Sequence, residues 1–546
     1  MTHRRLKHNR APIALIAIAS AVAVPAAMAA EPVVRGPESV SDWFDAGQEY
    51  IKIAKKLSRI RHRAKNVILF VGDGMGVSTV TAARILEGQQ MGKPGEEHSL
   101  FFEKLPYVAL SKTYSWDQQT PDSAPTMTAM VTGYKARESM LAVNHTTARY
   151  ECGPGVIASK SLETILEQAA HAGKHTGVVT TARLTHATPA ANYAHTAVRD
   201  WESDSEIRSH EDTNKLPAGS CTVKDIARQL LELADEVKHS LKVALGGGRS
   251  YFQPNTLVDP EDGGTNMGRR KDGRDLTAEW VSTRGPGAKF VYNQAGFDAA
   301  DPAATSYLLG LFERSHMEYE HDRPNDRGGE PSLSEMTAKA IQILSKKKER
   351  GFYLHVESGR IDHAHHAGNP YRALTDTIEF AKAIQKAYEM TDPEKTLIIV
   401  TADHSHVFTI AGYPHRGNPI LGKVAEVPNV DGTPTKLASD ALSLPYTTLS
   451  YANGPGYTGA SNLQSAGLKT YPHDPASFTN GALRPDMTKV DTRVPSFMPE
   501  STVPLSSETH SGEDVAIYAS GPKAYLVRGV MEQNWIYHVM KEAFRF

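Results

Sequence analysis

The sequence predicts an α/β fold, with a mostly parallel central sheet and helices on both faces. Two observations favour this fold class. Helix-like and strand-like segments alternate along the chain, and the strand-like segments are continuous apolar runs, which is typical of strands buried on both faces. The chain has 546 residues, which suits one large α/β domain with insertions or two domains, and its hydrophobic content of 40% is ordinary for a globular protein.

Apolar runs and capping signals locate the individual elements. Strands are predicted at the apolar runs 67–71, 177–180, 243–245, 352–356, 396–400 and 515–518. Helices are predicted over 126–133, 161–172, 332–348 and 373–388. Ser332 and Glu335 form a capping box that opens the third of these helices, and Gly351 stops it. The three glycines at 246–248 are interpreted as a tight turn after a strand.

The chain is predicted to divide into four parts. They are a signal peptide (1–29), an N-terminal arm or helix (30–65), a core (66–406 together with 506–546) and an irregular, crown-like insertion (407–505). The first part starts with basic residues, continues with a short apolar run at 11–23 and ends in the small-residue cleavage signal at 27–29. The insertion is rich in Gly, Pro, Ser, Asn and Tyr, and it has few periodic segments.

The signal peptide predicts a periplasmic or secreted protein. An uncleaved anchor is the alternative, although the apolar run is short for a membrane span, and no span is expected in the mature chain. Removing residues 1–29 takes away four basic and no acidic residues, so the formal net charge goes from −2 to −6. A mildly acidic protein has no electrostatic reason to bind a nucleic-acid backbone.

The chain has two cysteines, Cys152 and Cys221. In an exported chain two cysteines suggest one disulfide, and two buried thiols are the alternative. A zinc site built from four cysteines is excluded by their number.

Acidic residues follow three predicted strands that lie far apart in the sequence. Asp73 follows the first strand, Glu357 follows 352–356, and Asp403 with His404 follows 396–400. Because the carboxyl ends of parallel strands meet at one edge of the sheet, these carboxylates should lie close together. Unless cations neutralise them, their charges would repel one another. The pattern therefore predicts a site for several metal ions.

Two further segments add ligands and a nucleophile. The stretch 355–366 is dense in carboxylate and imidazole groups, and Asp362 and His366 lie four residues apart, on one face if the stretch is helical. Mixed His and carboxylate ligands without sulfur suit catalytic zinc, and carboxylates with a hydroxyl suit magnesium. Ser123 precedes the helix predicted over 126–133, where backbone N–H groups could stabilise an oxyanion. The chain has no Gly-x-Ser-x-Gly motif at this serine, which disfavours a Ser-His-Asp esterase.

Taken together, these motifs resemble the alkaline phosphatase family. The matching stretches are Val-Gly-Asp-Gly-Met-Gly at 71–76, Pro-Asp-Ser-Ala at 121–124, the segment 186–195 with 199–201, Val-Glu-Ser-Gly-Arg-Ile-Asp-His-Ala-His-His at 356–366, Thr-Ala-Asp-His-Ser-His at 401–406, and 508–515. They occur in the family's order between residues 66 and 522. The resemblance implies a phosphate-monoester hydrolase that works through a phosphoserine intermediate, and it implies a homodimer.

The resemblance also assigns roles to individual residues. It implies two zinc ions and one magnesium ion, with Ser123 as nucleophile and Arg199 as the group that binds two phosphate oxygens. The implied ligands are Asp362, His366 and His510 for one zinc, Asp73, Asp403 and His404 for the other, and Asp73, Thr188 and Glu357 for magnesium. His186 and His363 lie at positions that vary in the family and are expected to surround the ligands. Cys152 and Cys221 match a family disulfide.

Other activities on the same metal scaffold remain alternatives. A phosphodiesterase, a mutase or another hydrolase would keep the metals, but Arg199 favours a substrate with a terminal, doubly charged phosphate. A sulfatase is disfavoured because Met127 stands where its signature after Ser123 requires an arginine. The non-enzymatic alternative is a metal-dependent extracellular binding protein that has lost turnover. It is disfavoured because all the expected metal ligands are present.

Overall fold

The computed structural model describes residues 40–261, 264–346, 349–428, 436–440, 443–456 and 486–546. The predicted signal peptide at 1–29 lies outside the described residues, so its prediction is not tested. In the described part of the chain, no helix is long and apolar enough to cross a membrane.

The described residues form fifteen strands and sixteen α-helices. The strands are β1 (Asn66–Gly72), β2 (Tyr107–Lys112), β3 (His175–Arg183), β4 (Leu241–Gly247), β5 (Ala288–Val291), β6 (Tyr307–Leu311), β7 (Phe352–Ser358), β8 (Thr396–Thr401), β9 (Ser405–His406), β10 (Phe408–Ile410), β11 (Leu449–Gly454), β12 (Ser501–Pro504), β13 (His510–Ser511), β14 (Val515–Ser520) and β15 (Gly529–Glu532). The helices are α1 (Val40–Lys56), α2 (Val77–Gln90), α3 (Ser123–Thr132), α4 (Pro154–Lys160), α5 (Ile165–His171), α6 (Ala187–Ala190), α7 (Asp204–Thr213), α8 (Ile226–Leu231), α9 (Asp235–Ser240), α10 (Arg249–Phe252), α11 (Leu276–Arg284), α12 (Gln294–Ala299), α13 (Leu333–Leu344), α14 (Arg360–His366), α15 (Pro370–Met390) and α16 (Trp535–Phe544).

A ten-stranded sheet in the order β15-β2-β14-β8-β1-β7-β3-β4-β6-β5 organises the molecule. From β8 to β5 every neighbouring pair is parallel, whereas β14 runs antiparallel to both β8 and β2. Strand β1 lies at the centre, and its successive side chains enter different cores: Val67 and Leu69 pack on one face, Ile68 and Phe70 on the other. The predicted fold class is confirmed, including the burial of the apolar strands on both faces.

Several predicted boundaries were wrong. The helix predicted over 161–172 begins only at Ile165, because the Thr164 side chain accepts a hydrogen bond from the Glu167 N–H and caps it. The helix predicted to reach residue 348 ends at Leu344. Of the three glycines interpreted as a turn, the first two belong to β4, and only Gly248, with φ of 95°, makes the turn.

The range 407–505, predicted as an irregular insertion, contains regular structure. Strands β10, β11 and β12 form a separate three-stranded sheet. Cys152 and Cys221 form a disulfide, so the alternative of two thiols is excluded. Helix α1 lies within the range predicted as an N-terminal arm or helix. The division into four parts as such remains a prediction.

Candidate active site

Three neighbouring strands deliver the predicted carboxylates to one edge of the sheet. Strand β1 pairs with β7 on one side and β8 on the other, with Val71 in register with both Glu357 and Thr401. Asp73 therefore follows β1 close to Glu357 and Asp403, and all three side chains are completely buried. The parallel pairing explains why residues about 330 positions apart meet here.

Ser123 is the first residue of α3 and points into this cluster. Its Oγ lies 3.3 Å from Asp73 Oδ1 and 3.2 Å from His404 Nε2. The preceding residue, Asp122, has extended backbone, as a residue at a helix start requires. The serine is buried, with 2% of its surface exposed. The structure thus brings the predicted nucleophile together with two of the predicted metal ligands.

A group of imidazoles surrounds Asp362, and we call His366, His406 and His510 the carboxylate-lined histidines. His406 Nε2 lies 2.7 Å from Asp362 Oδ1, and the Nε2 atoms of His510 and His366 lie 3.3 and 3.4 Å from it. Helix α14 places Asp362 and His366 on one face, as predicted, and the pairing of β13 with β9 brings His510 and His406 in. Burial raises the pKa of Asp362, but these imidazoles outweigh it and hold that pKa well below its ordinary value.

Sequence reasoning missed His406, although it belongs to the motif at 401–406. Its Nδ1 faces Glu508 Oε2 at 2.5 Å, so the imidazole connects two carboxylates. Burial lowers the pKa of His406, but the hydrogen bonds to Asp362 and Glu508 raise it to about 9. Gly74 leaves room for this ring: its φ is 69°, and a Cβ there would lie 2.4 Å from His406 Nε2.

Two further groups of ligand atoms share Asp73. Asp73, Asp362 and His404 offer ligand atoms within 4.8 Å of one another, and so do Asp73, His186 and Glu357. Several buried oxygens at this site have no hydrogen-bond partner among the described residues. They are Asp73 Oδ2, Asp403 Oδ2, Glu357 Oε1 and Thr188 Oγ1. Buried oxygens without partners are costly unless a cation or water binds them, so this set fits bound metal ions.

Mutual repulsion among these carboxylates supports the same conclusion. Burial, followed by the charges of Asp403, Asp362 and Glu357, raises the pKa of Asp73 well above its ordinary value. Burial also raises the pKa of Glu357, to about 7, with Asp403 adding to the effect. Carboxylates in this state release their protons readily once divalent cations bind between them.

Arg199 contacts the residue that precedes the serine, and two neighbours hold its guanidinium. Its NH1 donates to both oxygens of Asp122, at 2.5 and 2.6 Å, and its NH2 lies 2.7 Å from His186 Nε2. Burial lowers the pKa of Arg199, but the adjacent Asp122 raises it above the ordinary value, so the guanidinium stays charged. The structure therefore places a fixed positive group beside the predicted nucleophile.

A second set of three imidazoles contacts arginines, and its ligand atoms also lie within 4.8 Å of one another. We call His186, His316 and His363 the arginine-lined histidines; their ring centroids lie 4.0 to 5.4 Å apart. Arg183 contacts His316, and Arg360 NH1 lies 3.2 Å from His363 Nδ1. Sequence reasoning missed His316, because it lies in a loop after β6 with no periodic pattern around it.

The fold and this site define a class: an α/β protein with a buried serine inside a candidate multi-metal centre. Comparison with known proteins agrees. The family model described as alkaline phosphatase matches residues 64–546. The chain is 43% identical to human tissue-nonspecific alkaline phosphatase over 515 residues, 93% of this chain and 89% of the relative. It is also 43% identical to an alkaline phosphatase of Gadus morhua over 506 residues, 92% of this chain and 96% of the relative.

Solved structures show the same fold. Thermus thermophilus alkaline phosphatase superposes with a TM-score of 0.57 at 23% identity, covering 89% of this chain and 93% of that one. The enzyme of the Antarctic bacterium TAB5 gives 0.54 at 22% identity, covering 89% and 99%. On the family match and the 43% identities, this chain belongs to the alkaline phosphatase family and is an enzyme.

Proposed function

We propose that this protein hydrolyses phosphate monoesters through a phosphoserine intermediate on Ser123, with two zinc ions and one magnesium ion. Membership of the alkaline phosphatase family supports the phosphomonoesterase activity. The observation that supports the mechanism is the position of Ser123 Oγ, which lies 3.2 to 3.3 Å from His404 and Asp73, with Arg199 beside it. A nucleophile, a ligand cluster and a phosphate-binding cation meet at one buried point.

The metal assignment follows the donor chemistry of each group. Asp362, His366 and His510 would hold one zinc, Asp73, Asp403 and His404 the other, and Asp73, Thr188 and Glu357 the magnesium. When bound, these ions would neutralise the carboxylates, polarise the phosphoryl group and lower the pKa of the Ser123 hydroxyl. The mixed nitrogen and oxygen donors support zinc in the first two groups, and the oxygen donors support magnesium in the third.

The residues of the chain would do the following. Ser123 Oγ attacks phosphorus, so that the Oγ–P bond forms while the ester P–O bond breaks and the alcohol leaves. Arg199 binds two phosphate oxygens with its planar guanidinium, and Asp122 keeps that plane fixed. A water molecule then attacks the phosphoserine from the side the alcohol left, which releases inorganic phosphate and restores the serine. Positioning and charge stabilisation provide most of the acceleration in such a transfer.

Export and dimerisation complete the proposal. The basic and apolar segments within residues 1–29 support a cleaved signal peptide and a periplasmic or extracellular location. The disulfide between Cys152 and Cys221 fits an oxidising compartment. The homodimer rests on the family resemblance.

The second candidate is a phosphodiesterase on the same site. A diester carries one charge on its phosphate and offers Arg199 fewer free oxygens, so the fixed guanidinium favours a monoester. We expect the purified mature enzyme to prefer a chromogenic phosphomonoester over the matching diester and sulfate. Its activity should rise toward alkaline pH and be lost on chelation, and zinc with magnesium should restore it. A diester or sulfate preference would overturn the substrate assignment.

Labelling tests the nucleophile separately. We expect the enzyme to incorporate ³²P from inorganic phosphate at acidic pH and Ser123→Ala to incorporate none, because the acceptor oxygen is missing. Metal content should be measured alongside, since Ser123→Ala should keep its metals. Label retained on another residue of the variant would show that the serine is misassigned.

A further inference from the structure

Arg199 is connected to the nucleophile helix α3 at two separate points. The first is the ion pair of its guanidinium with Asp122, directly before the helix. The second is a chain of hydrogen bonds from its backbone to Thr128, inside the helix. Asp122 and Thr128 are six residues apart, which corresponds to about 9 Å along a helix axis. Two anchors at that spacing can fix both the position and the direction of the arginine.

Thr128 contacts a buried segment formed by residues 139–142. Its Oγ1 donates to the Met140 carbonyl oxygen at 3.1 Å and accepts from the Ala142 N–H at 3.0 Å. The Thr128 side chain is completely buried, so water does not compete for these bonds. One hydroxyl therefore joins α3 to both sides of Leu141.

The same segment holds the backbone of the Arg199 loop. Leu141 and Thr196 exchange two N–H···O bonds, each 3.0 Å long. The Arg199 N–H donates to the Ser139 carbonyl oxygen at 2.8 Å and is also within 3.3 Å of Ser139 Oγ. The path from Thr128 to Arg199 thus runs through hydrogen bonds of ordinary length, and every residue on it except the half-buried Arg199 is buried.

Two residues of this segment have a strained backbone conformation. Ser139 has φ of 70° and Ala142 has φ of 45°, which L-amino acids with a Cβ rarely adopt. Such a conformation persists only where surrounding contacts enforce it, and it is concentrated at functional sites. Here the enforcing contacts are the hydroxyl of Thr128 and the paired bonds to Thr196 and Arg199.

We propose that Thr128 and Ser139 are positioning residues that set the distance between the serine nucleophile and the phosphate-binding arginine. This inference rests on the proposed roles of Ser123 and Arg199. Neither residue touches substrate; each acts by keeping the Arg199 loop in register with α3. A small displacement of a binding group weakens phosphate contacts and transition-state stabilisation steeply.

The test compares two buried threonines of α3. Thr128→Val removes the hydroxyl that reaches the 139–142 segment, and Thr128→Ser keeps it. Thr132→Val is the matched control, because the Thr132 hydroxyl donates only within its own helix, to the Thr128 carbonyl oxygen, and accepts from Tyr134 N–H. The measurements are the inhibition constant of inorganic phosphate, kcat and KM, and metal content, all on the metal-loaded enzyme.

We expect Thr128→Val to weaken phosphate inhibition roughly 10-fold or more, with metal content unchanged, and Thr128→Ser to stay near the wild type. In an Arg199→Ala background the effect of Thr128→Val on phosphate should disappear, since the two act through one contact. If Thr128 had only a general structural role, Thr128→Val would still weaken phosphate inhibition in the Arg199→Ala background. An effect equal to that of Thr132→Val, or one that survives Arg199→Ala, overturns the inference.

Ser139→Gly provides a second variant should Thr128→Val fold poorly. Glycine accepts a φ of 70° without strain, so the variant should fold, yet it lacks Oγ and holds the Arg199 N–H less firmly. We expect Ser139→Gly to bind inorganic phosphate more weakly than the wild type. An unchanged phosphate affinity in this variant contradicts the inference. The proposed function is checked first and separately: if Arg199→Ala leaves phosphate inhibition unchanged, the role of the arginine itself is wrong.

Discussion

The two sets of histidines in the site share a residue type and differ in the charge of the side chains that they contact. Burial lowers the pKa of His406 and His363 alike. Hydrogen bonds to Asp362 and Glu508 nevertheless raise the pKa of His406 to about 9, whereas Arg360 adds to burial and lowers the pKa of His363 to about 3. The neighbouring charges therefore decide what an imidazole can do here.

The difference in neighbouring charge suggests a different function for each set of histidines. The carboxylate-lined histidines lie among negative groups, so together they suit a cation. Burial and neighbouring positive charges lower the pKa values of the arginine-lined histidines, so these imidazoles stay neutral and can accept hydrogen bonds from arginine N–H groups. Their ligand atoms are also close enough together for a cation, so the substitutions below test both sets. The following substitutions test whether this division is real, in order of decreasing expected effect.

Asp362→Asn should have the largest effect. Asp362 is the carboxylate that the three carboxylate-lined histidines share, so its loss leaves imidazoles without the charge that makes the group bind a cation. We expect the loss of one bound metal per chain and a fall in kcat/KM of roughly a thousandfold, which corresponds to about 4 kcal/mol. Elemental analysis of the purified protein and steady-state kinetics measure both.

Asp376→Asn is the control for that variant. Asp376 is also buried, but burial raises its pKa well above the ordinary value, and its carboxyl accepts a backbone hydrogen bond from the Glu320 N–H. We expect it to keep its full metal content. Equal metal loss in both variants would mean that fold damage, and not the shared carboxylate, explains the result.

Replacing one histidine of each set with asparagine provides the sharpest test of the difference between the two sets. His406→Asn removes the imidazole that connects Glu508 to Asp362, and we expect roughly 10- to 100-fold weaker zinc binding. His316→Asn removes the imidazole that contacts Arg183, and we expect unchanged metal content with only a small rise in KM. Zinc affinity is measured by competition with a chelator.

Either variant of this matched pair could contradict the assignment of cation binding to one set and arginine positioning to the other. Loss of a metal equivalent in His316→Asn would show that the arginine-lined histidines hold a cation after all. Normal zinc binding in His406→Asn would show that the link to Glu508 contributes nothing to the ligand Asp362.

The division also shows what the sequence could and could not predict. Strands β1, β7 and β8 follow from apolar runs, and their parallel order places Asp73, Glu357 and Asp403 at one edge. The helical spacing of Asp362 and His366 was equally visible. These features depend on local patterns or on a general rule for parallel sheets.

The positions of His406 and His316 follow neither from a local sequence pattern nor from the rule for parallel sheets. The pairing of β9 with β13 involves two residues on each strand, separated by more than a hundred positions, and no periodic signal marks it. His316 lies in an irregular loop, and its contact with Arg183 depends on how that loop folds back over β3. Helix ends were misplaced for a related reason: a side-chain cap such as Thr164 decides them by one hydrogen bond.

Three glutamates form a third cluster, in which burial is the main cause of raised pKa values. The pKa values of Glu261, Glu313 and Glu330 rise to about 7, 8 and 9, and in each case the charge of Asp326 adds to the effect of burial. Glu330 is 2% exposed, and its Oε2 has no hydrogen-bond partner in the described part of the chain. A pKa of about 9 corresponds to a carboxyl group that holds its proton at neutral pH in the absence of a bound cation.

Glu330→Gln should accordingly stabilise the protein in a pH-dependent way. Because the pKa of Glu330 is about 9 when folded and 4.5 in its ordinary state, folding takes up a proton between these values, and stability falls as pH rises through that window. Glutamine is neutral throughout and can still accept from the Glu318 N–H. We expect nearly equal free energies of unfolding near pH 5 and a difference that widens by roughly 4 kcal/mol by pH 8.

Thermal unfolding across pH measures this gap, with metal content held equal in both proteins. Glu394→Gln is the control, because the Glu394 side chain is 61% exposed and should show no widening gap. A gap for Glu330→Gln that stays flat with pH would mean that the carboxyl is ionised in the folded protein and is compensated. In that case this cluster, like the carboxylate-lined histidines, would be a site that holds a positive charge.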